Sequence, residues 1–315
     1  MPPPMEPTLA ALPSPVLRYF AATRPAFLAV TFVGVLLGLA SAASAGIHLD
    51  PTSATLTMFF ALVAHAGANV INDYYDARSG CDAANTERVF PFTGGSRFIQ
   101  NGVLSLRAAG LFGYGLLAAV IPAGLWLTAH SAPGLIWIGL AGLAVGLTYS
   151  APPLKLQSRG LGEFGISAGW LLVVVGSDFV QRRVFDFAPV SAGLGFALLV
   201  ANVLYINQFP DVRADAYAGK RTMVVRLGVA NARWGYAAIA LLCYGWVLAM
   251  VLRGQLPMLA LLSLLPAAAS VAALRNLWNH AAQPPALAPA IKLTILAAAL
   301  HGLLLAGAVT LAAAP

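Results

Sequence analysis

Nine long apolar segments dominate the sequence and leave little room for any other kind of fold. They cover roughly residues 24–45, 53–75, 106–129, 133–151, 162–181, 188–209, 233–252, 256–275 and 288–312. About 20 mostly apolar residues are enough for a helix to cross a bilayer. Only 9% of the 315 residues are charged and 59% are hydrophobic, which excludes an ordinary soluble domain. The sequence therefore predicts an all-α fold, a polytopic bundle of nine transmembrane helices.

The chain is predicted to hold a single transmembrane domain, residues 16–315, after a short N-terminal lead. The Met1-Pro-Pro-Pro-Met-Glu stretch has no basic region of the kind that begins a signal peptide, and residues 1–15 are predicted to be disordered. The longest loop, from about residue 77 to 105, holds no inserted soluble domain. Cys81 lies in a loop and Cys243 in a span, so a disulfide framework is not expected.

The lysines and arginines predict how the protein is oriented. With the N-terminus inside, fourteen of the 18 lie on the inner side, three lie on the outer side, and Lys292 lies within the last span. Basic residues concentrate on the cytoplasmic side of membrane proteins. We therefore expect an integral multi-pass protein of the bacterial inner (cell) membrane, with its N-terminus cytoplasmic and its C-terminus outside. The net charge of +7 then reflects contact with anionic lipid headgroups, and no nucleic-acid partner is expected.

Two clusters of Asn and Asp lie at the cytoplasmic ends of the second and sixth spans. Their members recur at helical spacing: Asn69, Asn72, Asp73 and Asp76 in the first, and Asn207, Asp211 and Asp215 in the second. If the second span stays helical to residue 76, the first four side chains fall within an arc of about 100°. Carboxylates at membrane depth usually face a polar cavity. Magnesium prefers such hard oxygen ligands and is usually held together with a substrate phosphate, so we expect an intramembrane site for a diphosphate ester.

Cations in the loops are candidate partners for the phosphate groups. They are Arg78, Arg97, Lys155 and Lys220, with the acidic Asp82 extending the first cluster. Arg97 closes a Thr93-Gly-Gly-Ser-Arg97 turn whose exposed backbone could wrap an anion, although plain turn chemistry explains the glycines as well. Lys220 could instead serve as a positive-inside anchor.

Tyr149 and Lys155 flank two prolines that end the fourth span. Lys155 could reach back to the diphosphate while Tyr149 lines the pocket, or both could anchor the chain at the membrane interface. Two ionisable residues inside spans, His65 and Asp178, should face the interior of the bundle.

Four motifs, taken together, resemble the UbiA superfamily of intramembrane prenyltransferases, and most closely its 1,4-dihydroxy-2-naphthoate polyprenyltransferase branch. The motifs are Asn69-Val-Ile-Asn-Asp-Tyr-Tyr-Asp76, Thr93-Gly-Gly-Ser-Arg-Phe-Ile-Gln-Asn-Gly102, Tyr149-Ser-Ala-Pro-Pro-Leu-Lys155, and Asp211-Val-Arg-Ala-Asp215 followed by Gly219-Lys-Arg-Thr-Met-Val-Val-Arg-Leu-Gly228. The resemblance implies a nine-helix bundle with an active site near the cytoplasmic face, open sideways to lipid for a prenyl tail. It also implies magnesium-dependent transfer of a polyprenyl group from a polyprenyl diphosphate to an aromatic acceptor.

The resemblance also assigns roles to individual residues. Two magnesium ions would be held by Asn72, Asp76, Asp211 and Asp215. Asp73 and Asp82 would support this site at the diphosphate, and Arg97, Lys155 and Lys220 would bind diphosphate oxygens. Arg78, a cation of the same loop as Arg97, is also expected to take part in diphosphate binding. The residues expected to matter most for catalysis are Asp76, Asp211 and Lys155, and those expected to line the substrate pocket are Asn69, Tyr149 and Asn207.

Two alternatives remain at the level of the sequence. The hydroxybenzoate and chlorophyll branches place a third Asp four residues after the second, where this chain has Gly80, which favours the naphthoate branch without excluding hydroxybenzoate, homogentisate or non-quinone acceptors. A transporter would also use buried Asp and Asn with related halves. The acids here gather at one face, however, and form no relay across the membrane.

Overall fold

The computed structural model describes residues 5–312, and this part of the chain is helical without any strand. Its α-helices are α1 (Pro15–Ala22), α2 (Pro25–Ser44), α3 (Pro51–Ser79), α4 (Cys81–Ala84), α5 (Leu106–His130), α6 (Leu135–Thr148), α7 (Gly162–Arg182), α8 (Ala188–Tyr217), α9 (Met223–Leu252), α10 (Ala267–His280) and α11 (Ala288–Ala312). Short 3₁₀ segments, Met258–Leu264 and Pro284–Leu287, precede α10 and α11.

Eight of these segments are long and apolar enough to cross a membrane. They are α2, α3, α5, α7, α8, α9 and the two segments Met258–His280 and Pro284–Ala312. The ninth predicted span, 133–151, is the shorter apolar helix α6, whose 14 residues rise about 21 Å. The chain is therefore an all-α, multi-pass membrane protein, and the predicted count of nine spans is approximate.

The helices that carry the acidic clusters extend beyond their predicted ends. Helix α3 begins at a cap in which the Asp50 carboxylate accepts the backbone N–H of Ser53 at 2.8 Å, and it ends at Ser79, where Gly80 follows with φ +77°. Helix α8 continues past Pro210 as far as Tyr217. Both extensions are polar. The predicted spans were bounded by the length of each apolar run, so they end before these residues. The structure confirms that the second span stays helical through residue 76.

Helix α8 lies at the centre of the bundle, where it packs against α2, α7, α9 and α11. Phe196 on α8 is fully buried together with Val33, Leu37, Val174 and Val247. Close packing at this centre requires glycine at Gly302, because a Cβ there would collide with the side chains of Val33 and Phe196. Small residues that let helices approach closely are typical of membrane bundles.

Residues 1–4 of the predicted N-terminal lead lie outside the described residues. Residues 5–14 precede α1 and contact the loop between α4 and α5, mainly through Glu6. The division of the chain into a lead and a single domain stays a prediction.

A buried ion pair joins Asp178 and Arg182 near the end of α7. The Asp178 carboxylate accepts hydrogen bonds from Arg182 Nε at 2.6 Å and Nη2 at 2.8 Å, and Nη2 also donates to the Ser41 carbonyl oxygen at 3.1 Å. The prediction that Asp178 faces the interior is confirmed, since only 1% of its surface is exposed. This pair connects α7 to α2 and lies outside the set of polar residues described below.

We expect Asp178→Asn to destabilise the protein without changing its chemistry. Asparagine keeps the shape of the side chain but leaves the buried Arg182 guanidinium with only the exposed Asp186, 4.0 Å away, as a counter-charge. Removing one partner of a buried pair costs about 3–5 kcal/mol. The thermal unfolding temperature in detergent should fall, while the KM values of the folded fraction stay unchanged. Asp186→Asn is the matched control, because Asp186 is exposed and lies 4.0 Å from Arg182. Equal unfolding temperatures for the two variants would contradict a stabilising role.

Candidate active site

A cavity of about 540 Å³ runs through one side of the bundle and has two parts of different chemistry. One end lies where α3 and α8 finish and is lined by Asn, Asp and Lys side chains. The remainder is lined by apolar side chains of α5, α6 and α7. Ile121, Leu125 and Leu140 line this apolar part and are also exposed at the protein surface, so the cavity opens sideways between α5 and α6. This shape suits a ligand with a charged head and a long apolar tail.

The polar stripe of α3 faces the charged end of the cavity. Asn72 Nδ2 lies 3.2 Å from Asp76 Oδ2, 3.1 Å from Gln157 Oε1 and 3.2 Å from Ser150 Oγ. Gln157 Nε2 in turn donates to Asp76 Oδ1 at 3.2 Å. Asp73 lies beside them and accepts the backbone N–H of Ser96 at 3.2 Å. The helical spacing that predicted a single stripe is thus confirmed.

The second stripe, on α8, meets the first across the cavity. Asp211 Oδ1 accepts a hydrogen bond from Asn85 Nδ2 at 2.6 Å, and its Oδ2 accepts the backbone N–H of Gly94 at 3.4 Å. Asp215 accepts from the Cys81 thiol at 3.3 Å and from the Thr222 hydroxyl at 3.4 Å. The loop between α3 and α5 therefore supplies partners to both aspartates of α8.

Lys220 joins the two acidic stripes. Its Nζ lies 2.7 Å from Asp76 Oδ1 and 3.6 Å from Asp215 Oδ1, and the side chain is almost fully buried. Burial lowers the pKa of Lys220, but the carboxylates of Asp76 and Asp215 outweigh this effect and raise the pKa well above its usual value. A permanent positive charge therefore lies between the two clusters, where a phosphate group could replace a carboxylate as its partner.

The Thr93–Arg97 turn closes over the same end of the cavity. Gly94, Gly95 and Arg97 have φ values of +75°, +71° and +67°. A positive φ favours glycine at Gly95. Glycine is also required there because a Cβ would collide with the Asp82 carboxylate. Burial, and after it the charge of Asp76, raises the pKa of Asp82 to about 8. The raised pKa weakens the negative charge of Asp82 at neutral pH, so the carboxylates on α3 and α8 supply most of the charge that faces Lys220.

Most of the predicted site residues come together at this end. The cavity is lined by Asn69, Asn72, Asp76, Asp82, Tyr149, Asn207, Asp211, Asp215 and Lys220. Asp73 and Arg97 lie just behind the lining, where the Arg97 guanidinium donates to the Asp82 carbonyl oxygen at 2.5 Å. The Asn207 Oδ1 atom is buried with no hydrogen-bond partner in the described part of the chain.

The structure corrects the predicted positions of two cations, Lys155 and Arg78. Neither lines the cavity, and both are exposed. The backbone at Lys155 takes a left-handed conformation, with φ +46°, and the 3₁₀ turn that follows, Leu156–Arg159, brings Gln157 rather than Lys155 to Asp76. The guanidinium of Arg78 instead donates to the Tyr74 hydroxyl at 3.2 Å and lies over the Tyr74 ring.

Several residues at the site were missed by the sequence analysis. Gln157 and Asn85 are uncharged, and nothing in their spacing connects them to the acidic clusters. Arg24 was counted only as an inner-side cation, yet it lines the cavity and forms no ion pair with any carboxylate among residues 5–312. Pro25 indicated a helix boundary at Arg24, because a residue before proline is steered away from the right-handed helical region, but it did not indicate that Arg24 lines the cavity. Arg24 indeed has φ +58° and separates α1 from α2.

Known proteins share both the sequence pattern and the fold. The UbiA prenyltransferase family matches residues 27–296. The 1,4-dihydroxy-2-naphthoate octaprenyltransferase of Escherichia coli is 30% identical over 81% of this chain and 77% of its own length. The enzyme of that name from Bacillus subtilis is 28% identical over 74% of this chain and 73% of its own length.

A solved structure of a UbiA homolog from Archaeoglobus fulgidus bound to DMAPP and Mg2+ has the same fold, with a TM-score of 0.60. It is 18% identical and covers 91% of this chain and 99% of its own. None of these relatives is named as a transporter, and the family match covers most of the chain, including both acidic clusters. The chain therefore belongs to the UbiA prenyltransferase family, and it is an enzyme that transfers prenyl groups.

Proposed function

We propose that this enzyme transfers a polyprenyl group from an allylic polyprenyl diphosphate to 1,4-dihydroxy-2-naphthoate, in a magnesium-dependent step of menaquinone biosynthesis. The observation that carries the proposal is the two-part cavity, in which acids and Lys220 gather at one end and an apolar channel leads away from them. The names of the Escherichia coli and Bacillus subtilis relatives support this acceptor, and so does Gly80.

The residues at the charged end fit magnesium bound together with a diphosphate. Oxygen atoms of Asn72, Asp76, Asp211 and Asp215 would hold the metal, and the orphaned Asn207 Oδ1 adds one buried acceptor. Among residues 5–312, no three Asp, Glu, His or Cys side chains already form a complete metal site. Magnesium commonly binds through one or two carboxylates and completes its shell with water and substrate phosphates. When bound, it would neutralise the leaving diphosphate and favour cleavage of the allylic C–O bond.

The chain's own residues would bind, shield and orient the reactants. Lys220 would hold diphosphate oxygens by charge, and Arg97 would brace the turn above them through the Asp82 carbonyl oxygen. The apolar channel would keep water away from the allylic cation. Trp170 and Phe60 line that channel, and their π faces can stabilise positive charge. The electron-rich ring of the acceptor then forms the new C–C bond and loses carbon dioxide.

Arg24 is the group that we assign to the carboxylate of the acceptor. It is half-buried in the cavity wall, and its nearest polar contact is a long one, 3.4 Å from Nη2 to the Phe92 carbonyl oxygen. Its guanidinium also lies 4.4 Å from the centre of the Phe27 ring. A guanidinium with free donors can bind a carboxylate through two parallel hydrogen bonds. An aromatic acid would therefore be held beside the diphosphate end of the cavity.

We expect Arg24→Gln to weaken acceptor binding selectively. The KM for dihydroxynaphthoate should rise about tenfold, because a charge-assisted hydrogen bond contributes about 1.5–3 kcal/mol. The KM for polyprenyl diphosphate should change less than twofold. Steady-state kinetics with each substrate varied in turn measures both values. Arg107→Gln, which changes an exposed arginine at the start of α5, is the control. A rise in the diphosphate KM alone would contradict the assignment.

An acceptor competition tests the proposed function itself. Proteoliposomes receive a polyprenyl diphosphate, magnesium, and equal amounts of dihydroxynaphthoate and 4-hydroxybenzoate, and the products are separated by mass. A decarboxylated prenyl-naphthoquinol as the main product is expected. A prenyl-hydroxybenzoate would overturn the acceptor, and no product from either would direct attention to homogentisate or non-quinone acceptors.

The orientation is also part of the proposal. We propose that the charged end of the cavity faces the cytoplasm, with the N-terminus on that side and the C-terminus outside, in the bacterial cell membrane. The loops and helix ends on this side carry most of the lysines and arginines, including Arg159 and Arg221 in loops, Arg213 near the end of α8 and Arg226 near the start of α9. Cytoplasmic loops are enriched in such residues.

A further inference from the structure

The N-terminal segment before α1 is tied to the loop that closes the active site. Glu6 Oε1 accepts a hydrogen bond from Arg88 Nε at 2.7 Å, and Arg88 Nη2 lies 2.5 Å from the same oxygen in an ion pair. Glu6 Oε2 accepts from Asn101 Nδ2 at 3.1 Å, and the same Nδ2 donates to the Pro7 carbonyl oxygen at 3.1 Å. One carboxylate thus joins two points of the loop that lie thirteen residues apart, Arg88 and Asn101.

Apolar contacts support this attachment. Leu12 and Tyr19 pack against a small cluster formed by Ala22, Phe98, Val103 and Leu104. The segment is shaped by Arg18, which donates from Nε to the Leu12 carbonyl oxygen at 2.7 Å and from Nη2 to the Pro13 carbonyl oxygen at 3.0 Å. Residues 5–14 therefore lie against residues 88–104 along both a polar and an apolar strip.

A path of hydrogen bonds leads from Glu6 to Asp211. Arg88, held by Glu6, donates from Nη1 to the Asn85 carbonyl oxygen at 2.6 Å. Asn85, which is buried, donates from Nδ2 to Asp211 Oδ1 at 2.6 Å. Asn85 thus fixes the orientation of the Asp211 carboxylate, and Glu6 holds Asn85 indirectly through Arg88.

A second path leads from Glu6 to Asp82. Arg97 Nε lies 3.7 Å from Glu6 Oε2, and Arg97 Nη1 donates to the Asp82 carbonyl oxygen at 2.5 Å. Arg97 is buried and its backbone has a left-handed conformation, with φ +67°. This conformation is unfavourable for a residue other than glycine, so contacts of the surrounding chain must stabilise it. Burial opposes the negative charge of Glu6, but its bonds to Asn101 and Arg88 outweigh this effect and lower its pKa, so Glu6 is ionised at neutral pH.

We propose that Glu6 is a positioning residue for prenyl transfer and that residues 5–14 form a latch. The latch holds the loop 85–104 against the bundle. Asn85 and Asp82 then keep the side chains at the metal-binding end of the cavity in their positions. This inference rests on the proposed roles of Asp82 and Asp211. Partners of metal ligands commonly fix ligand orientation, and their loss typically lowers metal affinity or activity by about 10–100-fold. Because about a quarter of the Glu6 side chain is exposed, the lower end of that range is expected.

The test compares Glu6→Gln with Glu87→Gln in the full-length protein in nanodiscs. Glu87 belongs to the same loop and pairs with Arg213 at 2.7 Å, but this pair lies on the exposed surface and leads to no residue of the cavity. Glu6→Gln should raise the magnesium concentration for half-maximal activity about tenfold, and saturating magnesium should restore most of the turnover. Glu87→Gln should match the unaltered protein. Unchanged magnesium dependence in Glu6→Gln would overturn the proposal.

Limited trypsin digestion provides a readout that needs no turnover. Loss of the latch should speed cleavage after Arg88 and Arg97 in Glu6→Gln at least about threefold relative to Glu87→Gln, as followed by peptide mass spectrometry, because local opening exposes the loop. Equal cleavage rates would overturn the latch even if the naphthoate reaction were confirmed. Faster cleavage in a protein that prenylates neither offered acceptor would support the latch and reject only the acceptor.

Discussion

Asp211→Ala and Asp76→Ala should each lower the rate of prenyl transfer at least about a thousandfold. The two carboxylates face the same end of the cavity from different helices, and each would hold the metal that neutralises the leaving diphosphate. Neither loss can be compensated by its neighbours, because Asp76 also pairs with Lys220 and Asp211 is the partner of Asn85. The measurement is the initial rate in proteoliposomes at saturating magnesium and substrates.

The control for these two variants is Glu87→Gln, which removes an acid from the exposed surface of the same loop. Its activity should be unchanged. Thermal unfolding must show that Asp76→Ala and Asp211→Ala remain folded, so that lost activity reports on chemistry. Near-normal turnover in either folded variant would contradict the arrangement in which both helices supply metal ligands.

Removing magnesium should abolish turnover completely and reversibly. The charged end of the cavity holds the carboxylates of Asp76, Asp211 and Asp215, with Lys220 between Asp76 and Asp215. A diphosphate would add further negative charge, and like charges within a few ångströms repel strongly in a poorly hydrated site. Without a divalent cation, polyprenyl diphosphate should therefore fail to bind productively. The rate is measured after dialysis against a chelator and again after stepwise addition of MgCl₂.

Calcium offers a useful comparison in the same titration. It is larger than magnesium and takes six to eight ligands at longer distances, so it should occupy the site but restore much less activity. Full activity in excess chelator would refute a metal-dependent mechanism for this enzyme.

The sequence predicted a large part of the fold and of the site because the relevant signals are local. A run of apolar residues must span the bilayer as a helix, since backbone groups in lipid have to be satisfied within the segment. The spacing of Asn69, Asn72 and Asp76 places them on one face of that helix whatever the neighbours are. The prediction that Asp211 and Asp215 share one face of their helix also rests on helical spacing within a single segment. Their function as metal ligands stays a prediction.

Other features depend on where loops go, and the spacing of residues does not encode that. Lys155 and Gln157 are two positions apart, and both the charge of Lys155 and the family resemblance favoured Lys155. The turn conformation of the chain instead delivers Gln157 to Asp76. In the same way, Glu6 was placed in a segment predicted to be disordered, although it contacts Arg88, 82 residues away.

The sequence by itself determined a multi-pass helical membrane protein with two acidic helix faces, because helix periodicity and the cost of polar groups in lipid act within a single segment. Only the tertiary structure decided which cation meets those faces, namely Lys220 between Asp76 and Asp215. It also decided that Arg24 lines the cavity and that Glu6 holds the loop. These choices depend on contacts between residues far apart in the chain, which form only when the helices pack and the loops close over their ends.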